Sequence, residues 1–360
     1  MISTNGAGGR WMVTIICALL GALPLCVSSF TTNRAWRVDP SPVRQQVGQQ
    51  KPRDPTRMQL LGHNLANNAW DLVEMGNASQ LRSRRNMFQF GVTATLALST
   101  ACQSAQASTT DPKTGILLPS EGEIETSIPL VWDDSEDGNP FASMGRDKFS
   151  RLDMTPDRVF YNDPRFVEHV DENAVRKMTQ YISGQFLRPG DSVLDLCSSW
   201  TSHIDPSVFV QKDLTRVAGL GMNEKELTAN PSLTEWTILD LNANKDTKLP
   251  YETSSFDAVL CQLSIDYLIH PLEVMKEVGR VLKPGGRVAI LFSNRLFLSK
   301  AVGLWTGADD IDHAYTVGSY LHYSFGGFED IKAEDLSTRK GNGKNKPIVG
   351  DPIYVVTAKK

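Results

Sequence analysis

Cysteine is scarce. The 360-residue chain holds five, and only Cys197 and Cys261 lie beyond residue 107. Two cysteines do not make a disulfide scaffold, and no Cys/His cluster has metal-binding spacing, so a stapled mini-fold and a structural metal centre are both excluded. Long apolar runs are lacking as well. The stretch Trp11–Leu25 follows Arg10 and leads to small residues at Val27, Ser28 and Ser29. That pattern reads as a secretory signal, with a membrane anchor as the other reading. Positive charge is also in deficit, with 37 Lys+Arg against 41 Asp+Glu. Residues 1–107 carry 10 of the basic and 4 of the acidic residues, so the remainder has 27 against 37 and a net charge near −10. Such a body disfavours electrostatic capture of nucleic acid. Finally, no Gly-x-Gly-x-x-Gly turn follows an apolar strand, which argues against a nicotinamide-dependent oxidoreductase.

What is present begins with an address. Residues 1–29 form the expected signal peptide. Residues 30–82 are rich in Arg, Gln, Asn, Ser and Pro and poor in acids, as in a transit segment. The join Val27-Ser-Ser-Phe30 resembles the two-part plastid presequences of algae with secondary plastids. Over 83–107, Ser83-Arg84-Arg85-Asn86-Met87-Phe88 resembles a twin-arginine motif. An apolar run to Leu98 and a small-x-small site at Ala105-Gln106-Ala107 follow it. The expected location is the plastid, the thylakoid lumen ahead of the stroma, with no permanent membrane span in the mature chain.

Residues 108–148 are acidic and punctuated by Pro and Gly, which predicts a poorly ordered arm, either solvated or docking a protein partner. Residues 149–360 read as one α/β domain. Asp171–Phe186 has helical spacing at Ala174, Met178, Tyr181 and Ile182. Apolar runs then recur at Val193–Leu196, Val217–Leu220, Trp236–Leu239, Phe256–Cys261, Arg287–Phe292 and Pro352–Ala358. Near-continuous runs alternating with helices predict a doubly wound, mostly parallel sheet buried on both faces.

The order of motifs carries a resemblance. Val193–Leu196, Leu249-Pro250-Tyr251 with Ser255-Phe256-Asp257, and Arg280-Val-Leu-Lys-Pro-Gly-Gly286 together resemble class I S-adenosylmethionine-dependent methyltransferases of the "type 11" set. Asp195-Leu-Cys-Ser-Ser-Trp-Thr-Ser-His203 and Gly219-Leu-Gly-Met-Asn-Glu-Lys-Glu-Leu227 look like a plastid and cyanobacterial subgroup. The resemblance covers roughly Phe160 to Lys360 and implies a seven-stranded Rossmann-like sheet with S-adenosylmethionine as cofactor. It also exposes departures. Counted from Asp195, the positions of an Asp-x-Gly-x-Gly-x-Gly loop hold Cys197, Ser199 and Thr201. At the second strand's end, where the family has a ribose-binding acid, stands Gly221.

Carried over residue by residue, Asp195 with Cys197, Ser198, Ser199 and Trp200 would face the amino-acid end of the donor, the serines serving as donors or as helix caps. Gly219 and Gly221 lie along the second strand, with Asn223 or Glu224 just beyond to accept a ribose hydroxyl. Asp240, Leu241 and Asn242 sit where family members contact adenine, or else cap a turn. Cys261 closes the fourth strand. In the family's strand order the first and fourth strands are neighbours, which implies that Cys197 and Cys261 come within bridging range.

Methyl transfer requires alignment and sometimes a base. Asp266 is the first candidate for that base and His203 the second. Arg165, His169, Gln262, Ser264, Tyr267, Ser293, Asn294 and Arg295 are candidates for the acceptor pocket, because open α/β sheets bind ligands at the strands' carboxyl ends. The function implied is methylation of a small or lipophilic plastid metabolite. The alternatives are a catalytically silent methyltransferase-like assembly or regulatory factor and, third, the oxidoreductase.

Overall fold

The computed structural model describes residues 47–49, 109–135, 138–342 and 346–360. Apart from Val47–Gln49, the signal, transit and twin-arginine segments lie outside the described residues. The sheet has eight strands: β1 (Val47–Gln49), β2 (Ser192–Ser198), β3 (Arg216–Gly221), β4 (Glu235–Ile238), β5 (Phe256–Gln262), β6 (Leu282–Phe292), β7 (Glu329–Asp335) and β8 (Tyr354–Lys359). Their spatial order is β1-β4-β3-β2-β5-β6-β8-β7. Strands β4, β3, β2, β5 and β6 are parallel. β8 runs antiparallel to both β6 and the edge strand β7, and the short β1 adds antiparallel to β4 beyond the seven expected.

Alternate residues of each strand feed opposite cores. One face takes Leu194, Leu196, Leu220, Val259, Ile290 and Val356. The other takes Val193, Val217, Leu260, Leu291 and Val355. Double burial explains why these strands read as unbroken apolar runs. Each Leu, Ile or Val so buried contributes about 1.5–3 kcal/mol.

Helices cover both faces, and the chain also forms two short ones, α1 (Asp157–Phe160) and α3 (Pro206–Gln211). α2 (Glu172–Tyr181) begins at Asp171, whose side chain accepts from the Ala174 N–H. It continues as a wider turn through Ile182–Phe186 and ends where Gly190, at φ +79°, reverses the chain into β2. With α4 (Glu224–Ala229) it lies on the second face. α5 (Pro271–Val281) and α6 (Asp310–Tyr323) lie on the first, burying Val274, Val278, Val317 and Leu321. Proline at the first helical position suits the start of α5, where its missing N–H is no loss.

The arm is not a loose tail, which corrects the expectation for 108–148. Leu118, Ile124 and Ile128 enter the same core as α6. Ile128 fits because Gly318 has no side chain; a Cβ there would stand 2.5 Å from the Ile128 Cδ1. Trp132 stacks on His322 with centroids 4.6 Å apart, and Asp111 pairs with Arg295. Four-residue spacing of Ile124, Ile128 and Trp132 supplies an apolar stripe that the surrounding carboxylates conceal.

Candidate active site

A cavity opens at the carboxyl ends of β2, β3 and β5, the place where an open α/β sheet receives ligands. Its first wall is the turn after β2. Cys197 stands at φ +59°, the left-handed conformation glycine supplies at no steric cost. The register of β2 against β3 shifts there, so that Ser198 pairs with Gly221. Gly221 is consequently closed to any side chain, because a Cβ would meet the Ser198 carbonyl at 2.2 Å. The ribose acid is missing for a steric reason.

Asp195 is fully buried and committed to its neighbours. Its Oδ2 accepts from the Ser198 and Ser202 hydroxyls at 2.6 and 2.7 Å, and its Oδ1 from Gln262 Nε2 at 3.0 Å. Burial raises its pKa, and those three hydrogen bonds restrain the rise. The Gln262 amide nitrogen also faces the Ser202 carbonyl at 3.1 Å. Two acceptors on that side fix the amide's orientation and turn Oε1 toward His203 Nδ1 at 2.8 Å. Nδ1 must therefore carry a proton. His203 Nε2 meets Glu168 Oε2 at 3.0 Å. Burial alone would lower the imidazole pKa. The hydrogen bond and charge of Glu168, with Gln262 and Asp195, outweigh that and leave it raised. Both ring nitrogens of His203 thus face acceptors, and the ring is held to a carboxylate rather than left as a free base.

The second wall comes from α4 and the segment before α2. Asn223 caps α4, accepting from the Lys225 and Glu226 N–H groups, while its amide donates to the Tyr161 and Asn162 carbonyls. Glu224 points to solvent, off the cavity. Glu226, two residues on, is the carboxylate that lines it. It accepts from the Arg165 N–H at 2.6 Å and the Ser199 hydroxyl at 2.7 Å.

The third wall holds Asp240, Leu241 and Asn242. Asp240 accepts from the Asn242 N–H, and burial raises its pKa. Asn242 is spent, donating to Asp157 and the Tyr267 carbonyl and accepting from the Ile269 N–H. Aromatic groups complete the enclosure: Tyr161, His169, Trp200, Tyr267 and Phe297. The His169 ring stands edge-on to Phe297 at 5.2 Å, and burial lowers its pKa. The Arg165 guanidinium lies over Phe160 at 4.5 Å and Phe297 at 5.6 Å. Ser264 reaches the cavity and bonds back to the Gln262 carbonyl.

Besides Ser293, whose buried hydroxyl donates to the Pro352 carbonyl at 2.6 Å, six predicted positions lie elsewhere, each for a physical reason. Asp266 is off the cavity, because the turn Ile265–Tyr267 sends its side chain into the core and presents Ser264 and Tyr267 instead. Its Oδ2 has no partner, and burial pushes its pKa up to about 8, so at neutral pH it is a buried carboxylic acid. Gly219 is mid-strand; a Cβ there would strike Leu233 at 2.4 Å, which makes it a packing glycine. Cys261 is wholly buried beneath the floor. Asn294 and Arg295 are drawn away by Asp111, and Arg295 also by Asp351. Glu224 is the sixth. The reading missed Glu168, Glu226, Tyr161 and Phe297. Glu226 had a signal, an acid three residues after a capping Asn, but that pattern ordinarily marks a helix start.

The comparisons agree with this architecture. Residues 207–290 match the family model described as "Methyltransferase domain". The 2-methoxy-6-polyprenyl-1,4-benzoquinol methylase of Caenorhabditis elegans mitochondria is 40% identical over 68 residues, 19% of this chain and 22% of that protein. The demethylmenaquinone methyltransferase of Bacillus cereus (strain ATCC 10987 / NRS 248) is 32% identical over 124 residues, 33% of this chain and 50% of that protein. The chain thus spans half the length or less of these curated relatives. A solved S-adenosylmethionine dependent methyltransferase from Mesorhizobium loti is similar at 15% identity and a TM-score of 0.35, covering 52% of this chain and 100% of that one. Over residues 207–290 the α/β domain is similar to methyltransferase domains.

The donor's chemistry can be tested against the cavity. It carries a sulfonium, an ammonium, a carboxylate and ribose hydroxyls. Asp157, Glu168, Asp195, Glu226 and Asp240 line the cavity against Arg165 and His203, so the lining favours a ligand with net positive charge. Glu226 and Asp240 supply the acceptors that Gly221 cannot. The residues fit the group.

Proposed function

We propose that this chain binds S-adenosylmethionine in the cavity above β2 and β3 and methylates a small or lipophilic, ring-bearing plastid metabolite. The observation that carries the reading is the lining itself: carboxylates beside the β2 turn and an aromatic enclosure of Tyr161, Trp200, Tyr267 and Phe297 on the outer side. The donor supplies an activated methyl group on sulfur. The chain's part is to bind, align and exclude water. Glu226 accepts ribose hydroxyls, Asp240 meets the adenine amine, and Arg165 holds the donor carboxylate. The aromatic walls sandwich a flat acceptor. The quinol and demethylmenaquinone named for the two relatives are acceptors of that shape, which supports a quinol-type ring here. Glu168, positioned by its contact with His203, takes the acceptor's proton in place of Asp266. The plastid address rests on the presequence and is checked by imaging a fluorescent fusion.

One observation favours a second reading, a methyltransferase-like factor without turnover. Asp195, Asn223, Asn242 and Gln262 have their polar atoms engaged within the protein. Incubation with labelled donor and a plastid lipid extract separates the two: label appearing in an extracted metabolite supports catalysis, and donor binding with no transfer supports the factor.

A further inference from the structure

Cys197 replaces a glycine of the resembled loop but keeps glycine's backbone, at φ +59°. The consequence is a change of face. In a regular strand Cys197 would point opposite to Leu196. The register shift between Leu196 and Ser198 instead turns it against the cluster that already holds Leu196 and Cys261. Leu196 and Cys261 are Cα partners on adjacent parallel strands, which run about 4.8 Å apart. Disulfide Cα separations run about 4.4–6.8 Å. The Cys197 side chain thus packs on the cluster that holds Cys261 and lies near enough to act on its thiol. Cys197 also lines the cavity, whereas Cys261 is wholly buried.

We propose that Cys197 and Cys261 form a reversible disulfide whose reduced state leaves the donor end of the cavity open and whose oxidised state closes it. The link itself stands on the thiol geometry; the gating rests on the methyl-donor reading. The oxidant is a peroxide. The Cys197 sulfur, the one reachable from the cavity, attacks a peroxide oxygen as its thiolate. The O–O bond breaks, and the departing hydroxide is protonated to water, leaving a sulfenic acid. The Cys261 sulfur then attacks the Cys197 sulfur. The S–O bond breaks, and the Cys261 proton leaves with the hydroxide as a second water. Two electrons leave the sulfurs, and one hydrogen peroxide becomes two waters. The order follows from position: Cys197 lines the cavity, whereas Cys261 is wholly buried and burial holds its thiol protonated, so Cys261 resolves rather than initiates. Drawing Cys197 toward β5 shifts the 197–201 turn, which lines the cavity, and moves that wall across the donor end.

The test uses the full chain, reduced, then titrated with hydrogen peroxide, alkylated and mapped by mass spectrometry, which separates this pair from Cys17, Cys26 and Cys102. The expected result is a linked pair of peptides holding Cys197 and Cys261. S-adenosylmethionine affinity, by calorimetry, should fall roughly tenfold, as for one or two lost hydrogen bonds, and recover with dithiothreitol. In Cys261→Ala the link cannot form, and dimedone should trap a Cys197 sulfenic acid. Separate alkylation of both thiols after peroxide overturns the link. A linked protein that binds donor as tightly as the reduced one overturns the gating. Reduced protein that binds no donor sinks the donor reading and the gating with it, while the peptide map still decides the link.

Discussion

The Ser198 carbonyl occupies the space in which a side chain at Gly221 would have to begin, 2.2 Å from the ideal Cβ. Restoring the family's acid as Gly221→Asp should therefore not improve donor binding. It should destabilise the fold by about 1–3 kcal/mol, the usual scale for forcing atoms into a closed space. Urea denaturation checks this, and a stable variant with tighter donor binding would show that the β2 turn yields easily.

The docked arm has a measurable weight. Ile124 is completely buried, and trimming such a side chain costs about 2–5 kcal/mol when the site cannot collapse. Ile124→Ala in the full chain should lower the urea midpoint accordingly. An unchanged midpoint would return residues 118–132 to the status of a loose tail.

Asp266 predicts a pH effect. Its folded pKa of about 8 stands above the ordinary 3.8, so the folded state holds a proton that the unfolded state has released. The associated stability is full below pH 4 and is lost as the pH rises through 8, roughly a few kcal/mol in all. Asp266→Asn should remove that slope without weakening donor binding, since the side chain is off the cavity. Parallel pH–stability curves for the two proteins would contradict the assignment.

His203 titrates with its partner. Glu168→Gln removes the carboxylate that opposes burial, so the imidazole pKa should fall. In the native protein, the pair's stabilisation is present below the ordinary value and fades as the pH rises through the raised one. NMR titration of the ring protons decides it; an unmoved pKa would remove Glu168 from the proton-handling role.

Much of the fold was legible because double burial writes itself as apolar runs, as at Val193–Leu196 and Val288–Phe292. β7 was not, since Glu329, Asp330, Lys332, Glu334 and Asp335 cover an edge strand with charge. The arm failed for a related reason: Ile124 and Ile128 are two apolar residues in an acidic field, and the space that admits Ile128 is left by Gly318 on a distant helix. In the site, the strand-end positions came together as expected. Asp266 did not, because one step along a tight turn separates a cavity wall from the core. Glu168 was hidden because its partner, His203, lies 35 residues away.

The central claim is that the cavity over β2 and β3 holds the methyl donor. Calorimetric titration of the reduced full chain with S-adenosylmethionine, alongside NAD and NADP, tests it most directly. The account predicts one saturable site for the methyl donor, weakened about ten- to a hundredfold by Glu226→Ala through loss of a charged hydrogen bond, and no heat with either nicotinamide cofactor. No binding of the donor, or binding that Glu226→Ala and Asp240→Ala both leave intact, would contradict it.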